Sequence, residues 1–434
     1  MKKILILFIS VIFSSNQIPG PEQPHPILLR NGIIHTISNG IVYGPDLLFN
    51  NGKIISIGHG FEIPKNTEII DVSGKHIYPG LISAGSTLGL QEINAVRSTR
   101  DYAETGSINP NVKANVSYHP DSELIPVSRS NGILLSHVIP QSGRVPGISS
   151  MMLLDGWTWE DCTLKHPIAM NLNWPSMDLD FSPWNKKSRK NQEKNRFNAL
   201  NEIDELFNSV RAYQKLDKSE INFKYNPRLH ALIKVLTGEI PLLIKANSVK
   251  QMESCIYWAE NQNLDIIILG GKDSWLITDL LVKKNIPIIF ENVLSTPKRR
   301  YEDYDQPYKT PKILFEAGVK FCISNSTSSF QTPHLRNLPY HAAMAASFGL
   351  NPEEAIRSIT LSTAEILNIS ELVGSLESGK DATLFVSDGD ILDIRSNVEL
   401  AFINGKRLDM SDRHKMLYNK YSQKYIQKGI LPNK

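Results

Sequence analysis

Between about residue 79 and residue 375, short apolar segments alternate with stretches of helical periodicity. The apolar segments read GILLSHVIP, SSMMLLDG, IPLLIKA, LDIIILGG, IPIIFENV and VKFCISN, and their composition is typical of buried strands. Helical stretches such as residues 249–262 and 274–284 lie between several of them. Strands that alternate with helices predict a parallel sheet, and a region of this length predicts that the sheet closes as a barrel.

Both ends of the chain have a different texture, with β-branched runs separated by turn residues. Residues 27–76 contain several such runs, and strand-like segments return after residue 380 in DATLFVSDG and VELAFINGKRLD. Asn31-Gly32, Asn51-Gly52 and Asn404-Gly405 predict hairpin turns, because these turns need residues that tolerate positive φ. We therefore expect a small antiparallel β unit over residues 27–76, strands again after residue 380, and a helix and tail over 411–434.

One segment interrupts the alternation of strands and helices. Residues 184–224 are rich in Lys, Arg, Asn and Glu, and apolar residues recur in them at helical spacing: Phe197, Leu200, Ile203, Leu206, Phe207, Val210 and Tyr213. This pattern predicts an amphipathic helix packed through one stripe. The helix could form a lid over the barrel or lie on its flank, and we favour the flank because lids are a minority of such insertions.

The N-terminus predicts export. Lys2 and Lys3 precede an apolar run over residues 4–13, and Ser14-Ser15 follow. This order is typical of a secretory signal peptide, which we place at residues 1–19, so the protein is expected in the periplasm or the medium. The alternative is a buried N-terminal strand. The apolar run is too short to span a bilayer, no later segment resembles a transmembrane helix, and the formal net charge of +3 indicates no nucleic-acid or anionic membrane partner.

Three passages together resemble the amidohydrolase superfamily, and in particular its imidazolonepropionase-like branch. DVSGKHIYPGLIS, at residues 71–83, is similar to the family's entry from the β-domain into the first barrel strand. Residues 342–369 are similar to the last barrel helices, and GSLESGKDATLFV, at residues 374–386, resembles the return to the β-domain. The resemblance implies a (β/α)8 barrel over residues 79–375 beside a small β-sandwich domain composed of residues 20–78 and 376–410. It also implies, nominally, a hydrolase of non-peptide carbon–nitrogen bonds.

The metal ligands that this resemblance implies are missing from the chain. The family's first-strand H-x-H pair corresponds to Gly85 and Thr87, and the fifth-strand histidine corresponds to Lys245. The sixth strand ends in Gly270-Gly271, and the eighth-strand aspartate is replaced within the segment Ser324-Asn325-Ser326. Glycine and serine cannot hold zinc, and lysine is protonated near neutrality. We therefore predict no metal and no cofactor; a G-x-x-x-x-G-K match at residues 374–380 leads into a strand, which excludes nucleotide binding there.

Several polar residues remain candidates for a site at the strand ends. We predict catalytic or anion-binding roles for Lys245, with Glu92 and Asp101 as accompanying carboxylates. Ligand-binding roles are assigned to four further residues: Arg97, Arg129, His137 and Asn325. The alternatives are a solvent-facing lysine, solvated loops and a hydrogen-bonded core histidine, and these are at least as common in proteins.

These observations give three functional hypotheses. The first is an amidohydrolase-like pseudoenzyme that acts as a binding or partner subunit, either as a homo-oligomer or assembled with a catalytically competent relative. The second is an active hydrolase with a metal-free or rearranged site that uses Lys245 and the loop carboxylates Glu92, Asp101 and Glu104. The third is an exported protein that binds a small polar ligand. Fold resemblance alone does not decide among them.

Overall fold

The computed structural model describes residues 17–216 and 223–432. Most of the predicted signal peptide, residues 1–16, lies outside the described residues. The described part combines a large α/β domain with an additional β-domain. Its strands are β1 (Ile27–Arg30), β2 (Ile33–His35), β3 (Ile41–Tyr43), β4 (Asp46–Asn50), β5 (Lys53–Gly58), β6 (Glu68–Asp71), β7 (His76–Pro79), β8 (Leu81–Ser86), β9 (Ile133–Val138), β10 (Gly147–Ile148), β11 (Ser150–Leu153), β12 (Thr163–Lys165), β13 (Met170–Asn173), β14 (Leu242–Ala246), β15 (Ile266–Gly270), β16 (Ile288–Glu291), β17 (Phe321–Ser324), β18 (Leu384–Ser387), β19 (Val398–Ile403) and β20 (Lys406–Arg407).

Most of the helices belong to the α/β domain, and the last one follows β20. They are α1 (Leu124–Arg129), α2 (Trp159–Cys162), α3 (Arg189–Gln214), α4 (Pro227–Leu236), α5 (Val249–Gln262), α6 (Thr278–Lys283), α7 (Gln306–Glu316), α8 (Leu338–Ser347), α9 (Pro352–Ser358), α10 (Leu361–Ile366) and α11 (Arg413–Gln427). Short 3-10 helices occur at Arg97–Thr99, Ala114–Ser117, Ser274–Leu276 and Thr332–Asn337. Within the described residues, no helix is long and apolar enough to cross a membrane.

The additional β-domain is built from two sheets, in the orders β5-β4-β1-β6 and β20-β19-β18-β7-β2-β3. Strand β18, from the C-terminal part of the chain, pairs with β7 from the N-terminal part. Apolar side chains of both sheets are buried together, and the rings of Phe49 and Phe402 meet edge to face with their centroids 5.0 Å apart. Both chain ends therefore contribute to one hydrophobic core.

Two of the three predicted hairpin turns are confirmed. Asn51 and Gly52 have φ of 49° and 75° between β4 and β5, and Asn404 and Gly405 have φ of 50° and 74° between β19 and β20. The prediction for Asn31-Gly32 is wrong, because the flanking strands β1 and β2 belong to different sheets. The expected antiparallel character is also only partial, since β1 pairs with β6 and β2 with β7 in parallel. The strands that lie between these partners in the chain provide the long connection that parallel pairing requires.

The α/β domain contains the predicted parallel strands. Strands β13 to β17 pair in parallel in chain order, and β8 pairs in parallel with β9. Between these two groups, β10 pairs with β13 and β11 pairs with β9, both antiparallel. The segment SSMMLLDG was expected to be a parallel strand, and its reversal follows from the short connection after β9. Without a crossover helix, the chain can return only in the antiparallel direction.

Helix α3 confirms the amphipathic stripe in part. Ile203, Phe207, Val210 and Tyr213 are buried, whereas Phe197, expected on the same stripe, is 63% exposed. The indole Nε1–H of Trp258, on α5, donates a hydrogen bond to Asp204 at 2.7 Å. Helix α3 thus packs beside α5 along its second half. Residues 217–222 are outside the described part of the chain, so the predicted extent of the insertion stays a prediction.

Candidate functional site

The carboxyl ends of the parallel strands meet around Thr327, in the loop that follows β17. The Lys245 ammonium, near the end of β14, donates a hydrogen bond to the Thr327 hydroxyl at 2.7 Å. The backbone N–H of Thr327 donates to the carboxylate of Glu291, the last residue of β16. Thr327 is buried. Its hydroxyl and its backbone N–H connect the ends of β14 and β16, at the end of the domain where barrel proteins place their sites.

Gly85 completes this arrangement from the side of β8. It has φ of +81°, and a Cβ atom added there would lie 3.1 Å from the methyl group of Thr327 and 3.5 Å from Cδ1 of Leu269. The position therefore has little room for any side chain. We use the name mouth cluster for Gly85, Lys245, Glu291 and Thr327.

A cavity of about 100 Å³ lies beside the mouth cluster. Its lining includes Lys245, Thr327, Leu269 and Asn171, and the Asn171 side-chain amide donates to the Gly147 carbonyl at 2.8 Å. The cavity is smaller than the 300 Å³ or so at which small-molecule sites begin. It can hold water or a very small ligand.

The positions where the resemblance places metal ligands do not fit a zinc ion. Gly85 and Gly270 have no side-chain donor atom, and Thr87 shares a hydrogen bond of 2.6 Å with the hydroxyl of Thr332. The Asn325 amide donates to the Gln331 carbonyl at 3.1 Å. Among residues 17–216 and 223–432, no group of three or more His, Cys, Asp or Glu side chains is arranged so that it could hold a metal ion.

The predicted partner carboxylates lie on the loop after β8, away from the cavity that Lys245 lines. Asp101 is exposed and lines a separate cavity of about 280 Å³ together with Glu104 and Lys113. Glu92 is half-buried, and burial raises the pKa of its carboxyl above the ordinary value, an effect that a hydrogen bond with Ser122 opposes. Arg97 is exposed. The structure therefore does not bring Glu92, Asp101 or Arg97 into the cavity beside Lys245.

Arg129 is engaged inside the protein. Its side chain is 4% exposed, and its guanidinium forms an ion pair with Asp155 at 2.5 Å and donates to the Leu154 carbonyl at 3.0 Å. Asp155 in turn accepts a hydrogen bond from the backbone N–H of Gly20 at 2.9 Å. This pair ties the N-terminal segment to the α/β domain. A ligand-binding role for Arg129 stays a prediction, and it would have to coexist with these contacts.

His137 is completely buried in β9. Neither ring nitrogen has a hydrogen-bond partner within the described residues, and desolvation lowers the pKa of the imidazole to about 3. The ring is therefore neutral at physiological pH. The alternative expected for His137 was a core histidine with a hydrogen bond. The ring is buried as that alternative predicts, but its nitrogens lack the hydrogen bond within the described residues.

Sequence reasoning missed a larger polar cavity next to the mouth cluster. It has a volume of about 370 Å³ at the ends of β14, β15 and β16, and its polar lining includes Asn247, Lys272, Glu291, Lys298 and Glu302. The one sequence signal was Glu291, the charged residue that follows the apolar run IPIIF. The other residues come from loops that have no common motif.

A buried ion network supports one wall of this cavity. The Arg299 guanidinium donates to both carboxylate oxygens of Asp273, at 3.1 and 2.5 Å, and also pairs with Glu302. Hydrogen bonds from Asp273 and Glu302 raise the pKa of Arg299 above its ordinary value. The network fixes the loop after β16 against the loop after β15.

A cavity of about 1040 Å³ lies at the opposite end of the strands. Glu239, Lys320, Glu354 and Arg357 are among its lining residues. In barrel proteins this amino-terminal end serves stability, and catalytic groups sit at the carboxyl ends. We therefore place the candidate site at the mouth cluster and the 370 Å³ cavity beside it.

A known protein family matches one part of the chain. The sequence profile of the Amidohydrolase family matches residues 312–408. An imidazolonepropionase from Thermoplasma volcanium is 29% identical over 87 residues, which cover 20% of this chain and 21% of that protein. The chain therefore spans only about a fifth of this curated relative in the match.

Solved structures extend the similarity over nearly the whole fold. A crystal structure of an amidohydrolase from Thermotoga maritima MSB8 is similar with a TM-score of 0.77 and 25% identity, covering 88% of this chain and 99% of that one. Phenylurea hydrolase B has a TM-score of 0.53 and 13% identity, covering 89% and 97% of the respective chains, a likeness of fold alone.

Proposed function

We propose, from the premise that this chain is a relative of the amidohydrolase superfamily, that it no longer performs zinc-dependent hydrolysis of carbon–nitrogen bonds. It acts instead as a binding or partner subunit. To assemble with a second copy of itself or with an active relative, the chain would use the fold that it shares with those relatives. A family relationship alone leaves the chemistry of the strand ends open.

The observation that carries the proposal is the mouth cluster. Where the family would hold zinc, a Cβ atom added at Gly85 would lie 3.1 Å from the Thr327 methyl, and the Lys245 ammonium donates to the Thr327 hydroxyl. A protonated lysine has no lone pair for a metal, and a cation at this place repels a second one. The same space is thus filled by a threonine and a positive charge.

We also propose that the strands of the α/β domain close as a barrel. The Ser324 hydroxyl, on β17, donates to the Ala84 carbonyl on β8, which supports contact between the first and the last parallel strand. The adjoining segments β10 and β11 link β13 to β9 on the other side. The closed array would contain one reversed strand, and residues 79–375 would form the barrel as the sequence predicts.

Metal analysis tests the loss of zinc chemistry directly. The purified chain is dialysed against a weak chelator and its zinc content is measured per molecule, beside a zinc-dependent amidohydrolase treated in the same way. We expect the control enzyme to retain stoichiometric zinc and this chain to retain none. Zinc that stays bound at one ion or more per chain would refute the proposal.

Two observations favour a second candidate, a metal-free active site. Lys245 is half-buried and lines the small cavity, and the buried carboxylate of Glu291 joins it in the mouth cluster. A lysine in such surroundings can act as a catalytic amine. Activity against cyclic amides and amidines that disappears in Lys245→Ala, and persists in the exposed control Lys250→Ala, would establish this candidate. Equal activity in both variants would remove Lys245 from it.

The 370 Å³ cavity supports the third candidate, a small-ligand-binding protein. Its volume lies within the range of small-molecule sites, and charged groups of both signs line it. Thermal-shift measurements with small anions and zwitterions test this role, since a ligand that binds only the folded state raises stability by mass action. Lys298→Ala should abolish the shift, whereas the exposed Lys320→Ala should leave it unchanged.

Export remains part of the proposal on sequence grounds alone. Lys2, Lys3 and the apolar run over residues 4–13 support a signal peptide that ends near residue 19. Mass spectrometry of the chain from its native host should find a mature N-terminus close to residue 17–20 in the periplasmic or secreted fraction. An intact Met1 in the cytosolic fraction would contradict export.

A further inference from the structure

The C-terminal helix α11 concentrates positive charge. Residues 413–428 contain Arg413, Lys415, Lys420, Lys424 and Lys428, and neither aspartate nor glutamate occurs from residue 413 to the end of the chain. The chain as a whole carries 47 basic and 44 acidic residues, so this stretch departs sharply from the average. The nearly balanced total charge predicted no anionic partner, because the sum over the whole chain conceals this local excess of positive charge.

The helix exposes an aromatic stripe beside its cations. Leu417, Tyr421 and Tyr425 follow one another at intervals of four residues and are 40%, 51% and 43% exposed. Lys420, Lys424 and Lys428 repeat at the same interval and form a parallel stripe. The Lys424 ammonium lies 6.0 Å from the ring centroid of Tyr421 and 5.8 Å from that of Tyr425. We call these two stripes the basic aromatic face.

The opposite side of the helix holds it to the protein. Ser422 and Ile426, four residues apart, are the partly buried residues of α11, and none of its residues is fully buried. Asp412 caps the first turn by accepting hydrogen bonds from the backbone N–H groups of His414 and Lys415, at 2.7 and 3.1 Å. The helix is thus fixed at its start and along one edge, and the basic aromatic face points into solvent.

We propose that the basic aromatic face binds an anionic lipid surface. Lysines attract the negative headgroups, while tyrosine rings and a leucine enter the interface between headgroups and acyl chains. Tyrosine suits this place because its ring is apolar and its hydroxyl remains hydrated. A protein partner is less suited, since lysine is depleted at the cores of protein interfaces. Nucleic acid would use the cations but offers nothing for Leu417 and the neighbouring Met416, which is 59% exposed.

This inference is independent of the zinc proposal and needs no particular ligand in the α/β domain. Helix α11 lies in the C-terminal part of the chain and shares no residue with the mouth cluster. Binding would place the chain at a membrane surface, and no helix within residues 17–216 and 223–432 is long and apolar enough to span one.

Co-sedimentation with vesicles tests the proposal. The full chain, and a second preparation that begins at Gln17 and so lacks the N-terminal apolar run, are mixed with vesicles of phosphatidylcholine alone or of phosphatidylcholine with phosphatidylglycerol. We expect both preparations to bind the mixed vesicles and to release them at high salt. The triple variant Lys420→Gln, Lys424→Gln, Lys428→Gln should bind about a hundredfold more weakly, at roughly fivefold for each basic residue.

Three matched controls decide the outcome. The variant Lys65→Gln, Lys283→Gln, Lys320→Gln removes the same charge from exposed positions elsewhere and should bind as the parent does. Tyr421→Ser with Tyr425→Ser should weaken binding at constant charge. Unchanged circular dichroism and denaturation midpoints would confirm that all variants fold.

Several results would overturn the proposal. These are equal binding to neutral vesicles, equal losses in the two triple-lysine variants, or no binding of either preparation to the mixed vesicles. Sedimentation equilibrium that shows a dimer dissociated by the α11 variant would reassign the face to self-association, and salt-sensitive binding of RNA without vesicle binding would reassign it to nucleic acid.

Discussion

Gly85 offers a quantitative test of how tightly the mouth cluster is filled. Gly85→Ala adds one methyl group at a residue with φ of +81°, 3.1 Å from the Thr327 methyl. The left-handed backbone costs a non-glycine residue about 1–2 kcal/mol. Overpacking adds about 1–3 kcal/mol, because Thr327 is held by Lys245 and Glu291 and can move little. We therefore expect a loss of about 2–5 kcal/mol in the free energy of unfolding.

Gly74→Ala is the matched control. Gly74 has φ of +74° and nothing within 4 Å of an added Cβ, so this change carries the backbone cost alone, about 1–2 kcal/mol. Thr327→Ser keeps the hydroxyl that accepts from Lys245 and removes the methyl group that an alanine at 85 would meet. In the double variant Gly85→Ala, Thr327→Ser, we expect a favourable coupling of at least about 0.5 kcal/mol.

Equilibrium unfolding in urea measures all four variants. Equal losses for Gly85→Ala and Gly74→Ala, with no rescue by Thr327→Ser, would show that the space beside Gly85 is not filled as described. Residue types alone would then support the proposed loss of a metal site.

Three further predictions concern buried ionisable side chains. Asp155→Ala should lower the free energy of unfolding by about 3–5 kcal/mol, because Arg129 is left buried without its carboxylate; a loss below about 1 kcal/mol in urea would contradict this. The folded-state pKa of His137 is lowered to about 3, so its contribution to stability is present above pH 6.5 and is lost as the pH falls from there toward 3. Between pH 7 and pH 5, the free energy of unfolding of His137→Leu should therefore fall by roughly 2 kcal/mol less than that of the parent. Parallel pH profiles of the two proteins would refute the burial effect. Asp273→Asn should accelerate trypsin cleavage after Arg299 by releasing the loop that this carboxylate holds, and an unchanged cleavage rate would exclude that role.

Local patterns predicted much of the fold. The apolar segments that became β14 to β17 lie where expected, and the predicted helix over residues 249–262 matches α5, Val249–Gln262. The reversed segment β11 was not predicted because strand direction depends on the length of the connection before it. Asn31-Gly32 failed as a hairpin because the same dipeptide serves here to pass the chain from one sheet to another.

The site was less predictable because its contacts join distant parts of the chain. The missing ligands could be read from residue types, and Lys245 was found at a strand end by the same comparison. The link from Lys245 through Thr327 to Glu291 depends on how two loops fold back over the strands, and no spacing in the sequence encodes it. The buried ion pair of Arg129 with Asp155 was likewise not predicted, because Asp155 lies 26 residues further along the chain, and the assigned ligand-binding role of Arg129 stays a prediction.

The pairing of β18 with β7 has a consequence for biosynthesis. The six-stranded sheet that contains them cannot be completed until residues 384–407 have left the ribosome, when nearly the whole α/β domain has already been made. The sheet formed by β2, β3 and β7 therefore has one uncovered edge while some three hundred further residues are synthesised. Such exposed edges invite aggregation, so we expect folding of this protein to depend on chaperones that protect its N-terminal strands during that interval.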